Sequence, residues 1–450
     1  MHLPGKVSSQ GLPDGLVVFV SADCPTCQMV APVLRDLRHR TANLTVFTQD
    51  DPQFPPGLDA VHDADLRLSW DAEIRTVPTL LRVEGGTVTG SLEGWLRSEW
   101  EQLTGVRDLG AGLPDYRPGC GSLSVDPAHA IALARTFGSR RLGSRSIELG
   151  GLEDEFEAMH ERGWSDGLPV VPPTPDRVLA MLEGTQRDPS EIVATVPPDL
   201  AECTVEKVAV NAVLAGCRPE YLPVVIAALE AACTDEFNMH GLLATTWFAG
   251  PILIVNGPIR LRLGMNSGVN VFGPGNRANA SIGRALQLVV RNVGGGRPGG
   301  VDRATFGNPG KYTFCFAENE EGSPWEPLSV ARGIAPGASA VTLFGGYGVN
   351  ALSDQLSRTP ADLVATFARV MAHLPRDVVL AVAPDHARLF REAGWSRAQL
   401  LSALENRLKR DTSTVLLVHA GGGAGLFSAL LPGWVGGPEG SQPVTRSIDA

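Results

Sequence analysis

The first apolar run of the chain, residues 16–20, is short and rich in Val, a strand by pattern. It leads into Ser21-Ala22-Asp23-Cys24-Pro25-Thr26-Cys27, after which Val30, Leu34 and Leu37 recur at helical spacing. The C-x-x-C therefore falls at the N-terminus of a helix. Residues 44–47 predict a second strand and 75–83 a third; Gly85-Gly86 then turns the chain into a fourth at 87–89. A helix over 95–103 closes this region. Residues 105–150 have few periodic apolar positions and are dominated by Gly, Pro and Arg, which predicts a connector between a domain at 1–104 and another at 151–450.

Beyond residue 150 the texture changes. An acidic helix at 153–160 precedes a Gly/Pro-rich stretch, and helices are expected at 176–182, 204–214, 219–233 and 279–291. Strands are expected at 251–255, 311–317 and 340–344. From 360 the pattern alternates: helix 361–373, strand 378–383, helix 386–408, strand 414–419, helix 425–431. That is the rhythm of a parallel or mixed sheet. The expected class is α/β: a small N-terminal domain and a larger Gly/Pro-rich α/β or α+β domain with a mixed sheet. The larger one divides into subdomains at about 151–335 and 336–450.

At 450 residues the chain is too long for one ordinary core, and 43% hydrophobic residues exclude wholesale disorder. The longest apolar runs, such as 251–255 and 414–418, are too short to span a bilayer. Residues 1–15 lack the charged-then-apolar order of a leader, being interrupted by Pro4, Gly5 and Lys6, so a cytoplasmic location is expected. A net charge of −11 with no basic cluster argues against nucleic acid as a partner. The 51 Gly and 34 Pro concentrate after residue 160, as expected of tight turns and backbone-lined sites. Seven cysteines are an odd number with one recognised spacing, so free thiols and not a disulfide framework are expected.

The thiolate is the nucleophilic form of cysteine, and a helix N-terminus stabilises negative charge. Cys24 at the strand-to-helix turn is thus the expected attacking sulfur, with Cys27 one turn on as the resolving one. A C-x-x-C metal clip would call for a second C-x-x-C or a His pair at ligand spacing, and neither accompanies it. The run Thr76-Val77-Pro78-Thr79 opens the later strand. With Cys-Pro-Thr-Cys, it resembles the signature of thioredoxin-like proteins over roughly residues 14–104, although the usual leading β-α unit is missing. That resemblance implies a thioredoxin fold, a redox-active dithiol at Cys24 and Cys27, and a cis Pro78 facing it.

The rest of the chain resembles a bacterial family of no settled activity, associated with thioredoxin-like and UGSC-type (seleno)proteins. The resemblance is carried by Trp164-Ser165-Asp166-Gly167-Leu168-Pro169-Val170-Val171-Pro172-Pro173-Thr174, by Phe272-Gly273-Pro274-Gly275-Asn276-Arg277-Ala278-Asn279 and by Ala317-Glu318-Asn319-Glu320-Glu321. Pro384-Asp385-His386, Gly394-Trp395-Ser396 and the ending at 436–448 belong to it as well. The chain has no UGSC motif of its own.

Read from the residues, 264–284 is a Gly-rich loop entering a helix with Arg277 at its mouth and Arg284 a turn in. Asn266, Gly273, Gly275, Asn276, Arg277, Asn279 and Arg284 are the candidates for holding a carboxylate or phosphate. The alternative is a loop between buried elements whose arginines pair local acids. Cys217, beside Arg218 and just ahead of a helix, and Cys203, in a similar place, are candidate thiolates. Cys315 is expected to face away from Tyr312, Phe314 and Phe316, towards a cleft near Glu318. For each the alternative is a buried small apolar residue. Cys120 sits in Pro118-Gly119-Cys120-Gly121-Ser122, as a mobile shuttle thiol or an incidental linker cysteine. His240 with Glu318 or Glu320 offers an acid/base pair or a metal site, though no spacing indicates a metal. Gly421–Gly425 resembles a nucleotide turn without its acidic partner.

The leading expectation is a thiol-dependent enzyme in which the dithiol supplies electrons to, or handles sulfur for, a large domain acting on a small organic anion. Reductive cleavage, C–S bond chemistry and sulfur transfer all fit. The dithiol is the only redox group implied, with an external thiol reductant and a homo-oligomer both compatible. The alternatives are a protein-disulfide reductase with a partner-recognition domain, and handling of a soft metal such as copper or mercury.

Overall fold

The computed structural model describes residues 11–137, 142–145, 147, 149–150, 153–423, 425–434 and 440–449. Residues 1–10, on which the expectation about a leader rests, part of the motif at 436–448 and residue 424 of the Gly-rich turn lie outside them. Two compact units divide the chain, Met1–Arg141 and Leu142–Ala450, and both mix helices with sheets in the α/β manner. No helix among the described residues is long and apolar enough to cross a membrane.

In the first unit β1 (Gly15–Val20) is central. It is parallel to β2 (Leu44–Thr48), which is parallel to the short β3 (Val61–His62). On its other side β5 (Thr79–Glu84) runs antiparallel and pairs with β6 (Thr87–Glu93), giving the order β3-β2-β1-β5-β6. Val17 to Val20 are all fully buried, so both faces of β1 are covered. Helix α1 (Pro25–Arg40) contributes Val30, Val33, Leu34 and Leu37 to the same core. Its start is set by Cys24 as N-cap and Pro25 as first helical residue. The short α2 (Arg67–Asp71), β4 (Thr76–Val77), β7 (Trp95–Leu96) and α3 (Arg97–Thr104) complete the part predicted as a domain.

The expected connector at 105–150 is not one in its first half. Leu109 is fully buried, the Trp95 indole donates to Pro114 O at 2.7 Å, and Arg97 Nη1 donates to Gly110 O at 2.8 Å. Two strands then pair back, β8 (Tyr116–Arg117) with β7 and β9 (Cys120–Gly121) with β4. Gln49 Nε2 holds the Ser122 hydroxyl at 2.6 Å, and α4 (Pro127–Phe137) follows. Composition hid this because the segment is held by backbone pairing and Arg–carbonyl bonds, which leave no apolar periodicity.

The second unit begins with α5 (Glu155–Glu161), α6 (Pro175–Leu182), the hairpin β10 (Ile192–Val196) and β11 (Ala201–Thr204), then α7 (Val205–Leu214), α8 (Leu222–Ala232) and α9 (Met239–Ala244). One sheet is built on β12 (Gly250–Asn256), which is followed by α10 (Pro258–Arg262) and α11 (Arg277–Asn292). Its neighbours are β13 (Cys315–Ala317) and β14 (Ala340–Gly346), with α12 (Leu328–Ala331) between them in sequence. The C-terminal β19 (Val444–Ser447) completes the order β13-β12-β14-β19. A second sheet, β15-β18-β16-β17, comprises β15 (Asn350–Ser353), β16 (Val378–Val382), β17 (Val415–His419) and β18 (Phe427–Pro432), with α13 (Pro360–Met371), α14 (Pro384–Glu392) and α15 (Arg397–Leu408).

Strand alternation orders these layers. Leu253 and Val255 pack with α7, α8 and α11, while Ile252 and Ile254 of the same strand join Val379, Ala381, Leu416 and Val418 of the second sheet. Val378, Leu380 and Val382 face α13, α14 and α15. The unit is thus helices, sheet, sheet, helices. A division at 335 does not hold, because β14 and β19 belong to the sheet of β12. The helix expected at 425–431 is absent; Phe427–Pro432 form strand β18 instead, since β15 and β16 offer hydrogen-bonding edges on both sides. The expected helix 386–408 is two, broken at Gly394 with φ +67°. Only the end of 311–317 is a strand.

Candidate functional site

The dithiol stands where β1 ends and α1 begins. Cys24 Sγ caps the helix, accepting from Cys27 N at 3.3 Å, and it lies 3.3 Å from Val77 O, to which it donates only in its thiol form. The Val77–Pro78 peptide is cis, and Pro78 is buried beside the pair, its carbonyl accepting from Gly94 N at 2.7 Å. Cys24 is 3% exposed and Cys27 fully buried.

The two sulfurs differ in charge preference. The hydrogen bond from the Cys27 thiol does most to lower Cys24; burial opposes it, and the Cys120 thiol and the amides of Cys27 and Thr26 add to the lowering. The result is about 5, so Cys24 is a thiolate at neutral pH. Burial, then the bond to Cys24, pushes Cys27 far up, and it remains a thiol. The loop before Cys24 hangs on Asp50 at the end of β2, a residue the sequence reading missed. Asp50 accepts from the Ser21 hydroxyl at 2.6 Å and from the amides of Ala22 at 2.8 Å and Asp23 at 3.1 Å. Burial alone would raise this carboxyl, but those donors and the Asp51 amide outweigh it and hold it down. An acid closing a strand opposite a C-x-x-C turn is the only sequence signal for it.

Cys120 lies not in a linker but in β9. It is the register partner of Val77 across the β4–β9 pair, which brings its thiol near Cys24, where it favours the Cys24 thiolate. Burial raises it first, then the bond to Cys24. Thr26 Oγ1 donates to Pro118 O at 2.7 Å. Gly119 is required by close approach: a Cβ there would lie 2.3 Å from Thr76 Cγ2 and 2.8 Å from Val77 O. Three cysteines meet where two were expected to work as a pair.

The candidates of the second unit fare differently. Arg284 forks onto Asp166, with Nε to Oδ2 at 2.8 Å and Nη2 to Oδ1 at 2.7 Å, and Nη2 also donates to Pro169 O. Arg277 Nε donates to Gly216 O at 2.9 Å. The Asn276 side chain caps α11 from within the chain, accepting from Asn279 N, and donates to Gly264 O at 2.7 Å. Asn279 exchanges two bonds with the backbone of Asn266, whose own side chain holds Gly268 N and Val269 O. Gly273 makes room for the Asn270 side chain, and Gly275 has φ +115°. These residues staple the loop together, the structural alternative to an anion site. Arg284 pairs a local acid from the Trp164-Ser165-Asp166 motif.

Of the other cysteines, Cys203, Cys217 and Cys315 are buried in the core and Cys233 packs half-buried against it. Cys217 donates to Ser281 O at 3.4 Å, and burial pushes it up to about 12. Cys203 and Cys233 are likewise pushed up to about 12 by burial, and in Cys217 burial outweighs the lowering by Ser281, Arg277 and Arg284. Cys315 is 5% exposed against Gly283 in the helix-side core, not in a cleft, and burial raises it further. His240 is exposed on α9, and among the described residues no bond joins it to Glu318 or Glu320. Glu318 is fully buried, accepting from Asn256 Nδ2 at 2.7 Å and Leu328 N at 2.8 Å, and burial raises its carboxyl. Glu320 accepts from Gly257 N at 2.6 Å and pairs with Arg260 at 3.3 Å. Among the described residues no three His, Cys, Asp or Glu side chains are placed to hold a metal ion.

A cavity of about 270 Å³ opens at the C-terminal ends of β16 and β17, lined by Asn270, Gly273, Ala381, Ala420, Gly421 and Phe427 among others. Much of its lining is alanine and glycine, and the carboxyl ends of parallel strands are where α/β sheets take ligands. The chain matches no protein-family model, and a comparison with curated proteins gives no significant relative.

Proposed function

We propose that the first unit is a thioredoxin-like thiol–disulfide oxidoreductase, with Cys24 as attacking sulfur and Cys27 as resolving sulfur. The observation that carries this is the placement of the pair: Cys24 Sγ caps α1, accepting from Cys27 N at 3.3 Å, next to the cis Val77–Pro78 peptide, a setting that lowers Cys24 to about 5 while burial pushes Cys27 far up. The Cys24 thiolate attacks one sulfur of a substrate disulfide, forming a mixed disulfide and expelling the other sulfur as thiolate. Cys27 loses its proton, attacks Cys24 and expels the second thiolate, leaving Cys24–Cys27 oxidised and the substrate reduced by two electrons. An external thiol then restores the pair.

In this reading the second unit contributes no thiol and no arginine pair to the chemistry. The cavity at β16 and β17 supports instead a small, largely apolar molecule as its ligand. The test is reduction of glutathione disulfide by the reduced full-length chain and by its Cys24→Ser variant. Loss of all reduction in the variant is expected; equal activity in both would end the assignment.

A further inference from the structure

Cys24 is a nucleophile that the chain itself covers. The segment 116–121 crosses in front of it: Val77, whose carbonyl Cys24 bonds, pairs with Cys120, and Thr26 of the same helix turn holds Pro118. The backbone edge of β4 next to the reactive sulfur is therefore already occupied by a strand of the same chain, and that strand delivers a thiol to it. Cys120 is the least buried of the three cysteines, whereas Cys27 has no exposure at all.

We propose that Cys120 is a second resolving thiol, so that the oxidised site alternates between a Cys24–Cys120 and a Cys24–Cys27 disulfide. The proposal rests on the thiol–disulfide reading above. Cys24 first takes a mixed disulfide with a small disulfide, R–S–S–R, expelling RS⁻. Cys120 then loses its proton to solvent and attacks the Cys24 sulfur, and the second RS⁻ leaves. The two electrons that Cys24 and Cys120 give up in joining have passed to the substrate. Cys27 then loses its proton and attacks Cys24, Cys120 leaves as a thiolate and takes up a proton, and the bond has moved to Cys24–Cys27 with no net oxidation. Both resolving sulfurs are tethered beside Cys24, so exchange within the site outruns exchange with free thiol. Occupation of the β4 edge selects for compact disulfides, since an extended polypeptide would have to displace β9 to pair there.

The experiment uses full-length reduced protein, one to two equivalents of glutathione disulfide, acid quenching and disulfide mapping by mass spectrometry. Cys27→Ser is expected to release two glutathiones per chain and carry Cys24–Cys120. Cys27→Ser with Cys120→Ser is expected to release one and stop as the Cys24–glutathione adduct. Circular dichroism of each variant confirms the fold. If Cys27→Ser alone accumulates the adduct with Cys120 free, the second resolving thiol is overturned while the dithiol reading stands. If wild-type Cys24 enters no disulfide at all, the dithiol reading itself has failed and takes this proposal with it.

Discussion

Arg284 and Asp166, far apart in sequence, meet in a two-pronged ion pair with Nε–Oδ2 at 2.8 Å and Nη2–Oδ1 at 2.7 Å, both side chains largely buried. The pair ties the start of the second unit to α11, and Arg284 Nη2 also donates to the carbonyls of Leu168 and Pro169. It is an anchor, and its removal should be felt as lost stability. Arg284→Ala strands a buried carboxylate and is expected to cost about 3 kcal/mol. Arg284→Lys should recover little of it, because one ammonium cannot span both oxygens. Urea midpoints of the two variants measure this, and a midpoint matching wild type would return Arg284 to the ligand-binding candidates.

The charge on Cys24 sets a pH profile. Alkylation by iodoacetamide should be half-maximal near pH 5, with the rate falling below that as the thiolate protonates. Because the folded value lies below the ordinary 9.0, the thiolate stabilises the reduced fold fully above pH 9. That contribution declines as pH falls towards 5. Reduced wild type should therefore lose stability relative to Cys24→Ser between those limits. A half-maximum near 9 would contradict the environment described.

Asp50 holds the loop that aims Cys24. Asp50→Ala unpairs the Ser21 hydroxyl and two amides and is expected to cost about 2 kcal/mol. Without that anchor the Cys24 cap loosens, and the alkylation profile should move to higher pH. Asp50→Ala with the wild-type profile would show that the loop holds without it.

Gly119→Ala tests the cover over the site. The added Cβ collides with Thr76 and the Val77 carbonyl, so β9 must lift from β4. Labelling of Cys24 by a bulky maleimide should then rise several-fold, while a small reagent gains less. Equal rates for both reagents in both proteins would mean the segment does not limit access.

The sequence by itself determined the strand 16–20, the helix that follows, the placement of Cys24 at its cap and the α/β alternation of the tail, because these are written in local apolar periodicity and in the proline that opens the helix. It also foreshadowed, as an alternative, that Arg277 and Arg284 bind within the chain. Tertiary structure alone decided the rest. Segment 105–125 carries no periodicity, since backbone pairing and arginine–carbonyl bonds hold it, so only the folded chain could bring Cys120 to Val77 and Cys24. Phe427–Pro432 became a strand, where a helix over 425–431 was expected, because β15 and β16 left edges for it, a nonlocal cause invisible in so short a segment. Burial, which depends on every layer at once, turned Cys217 and Cys315 from candidate nucleophiles into core thiols.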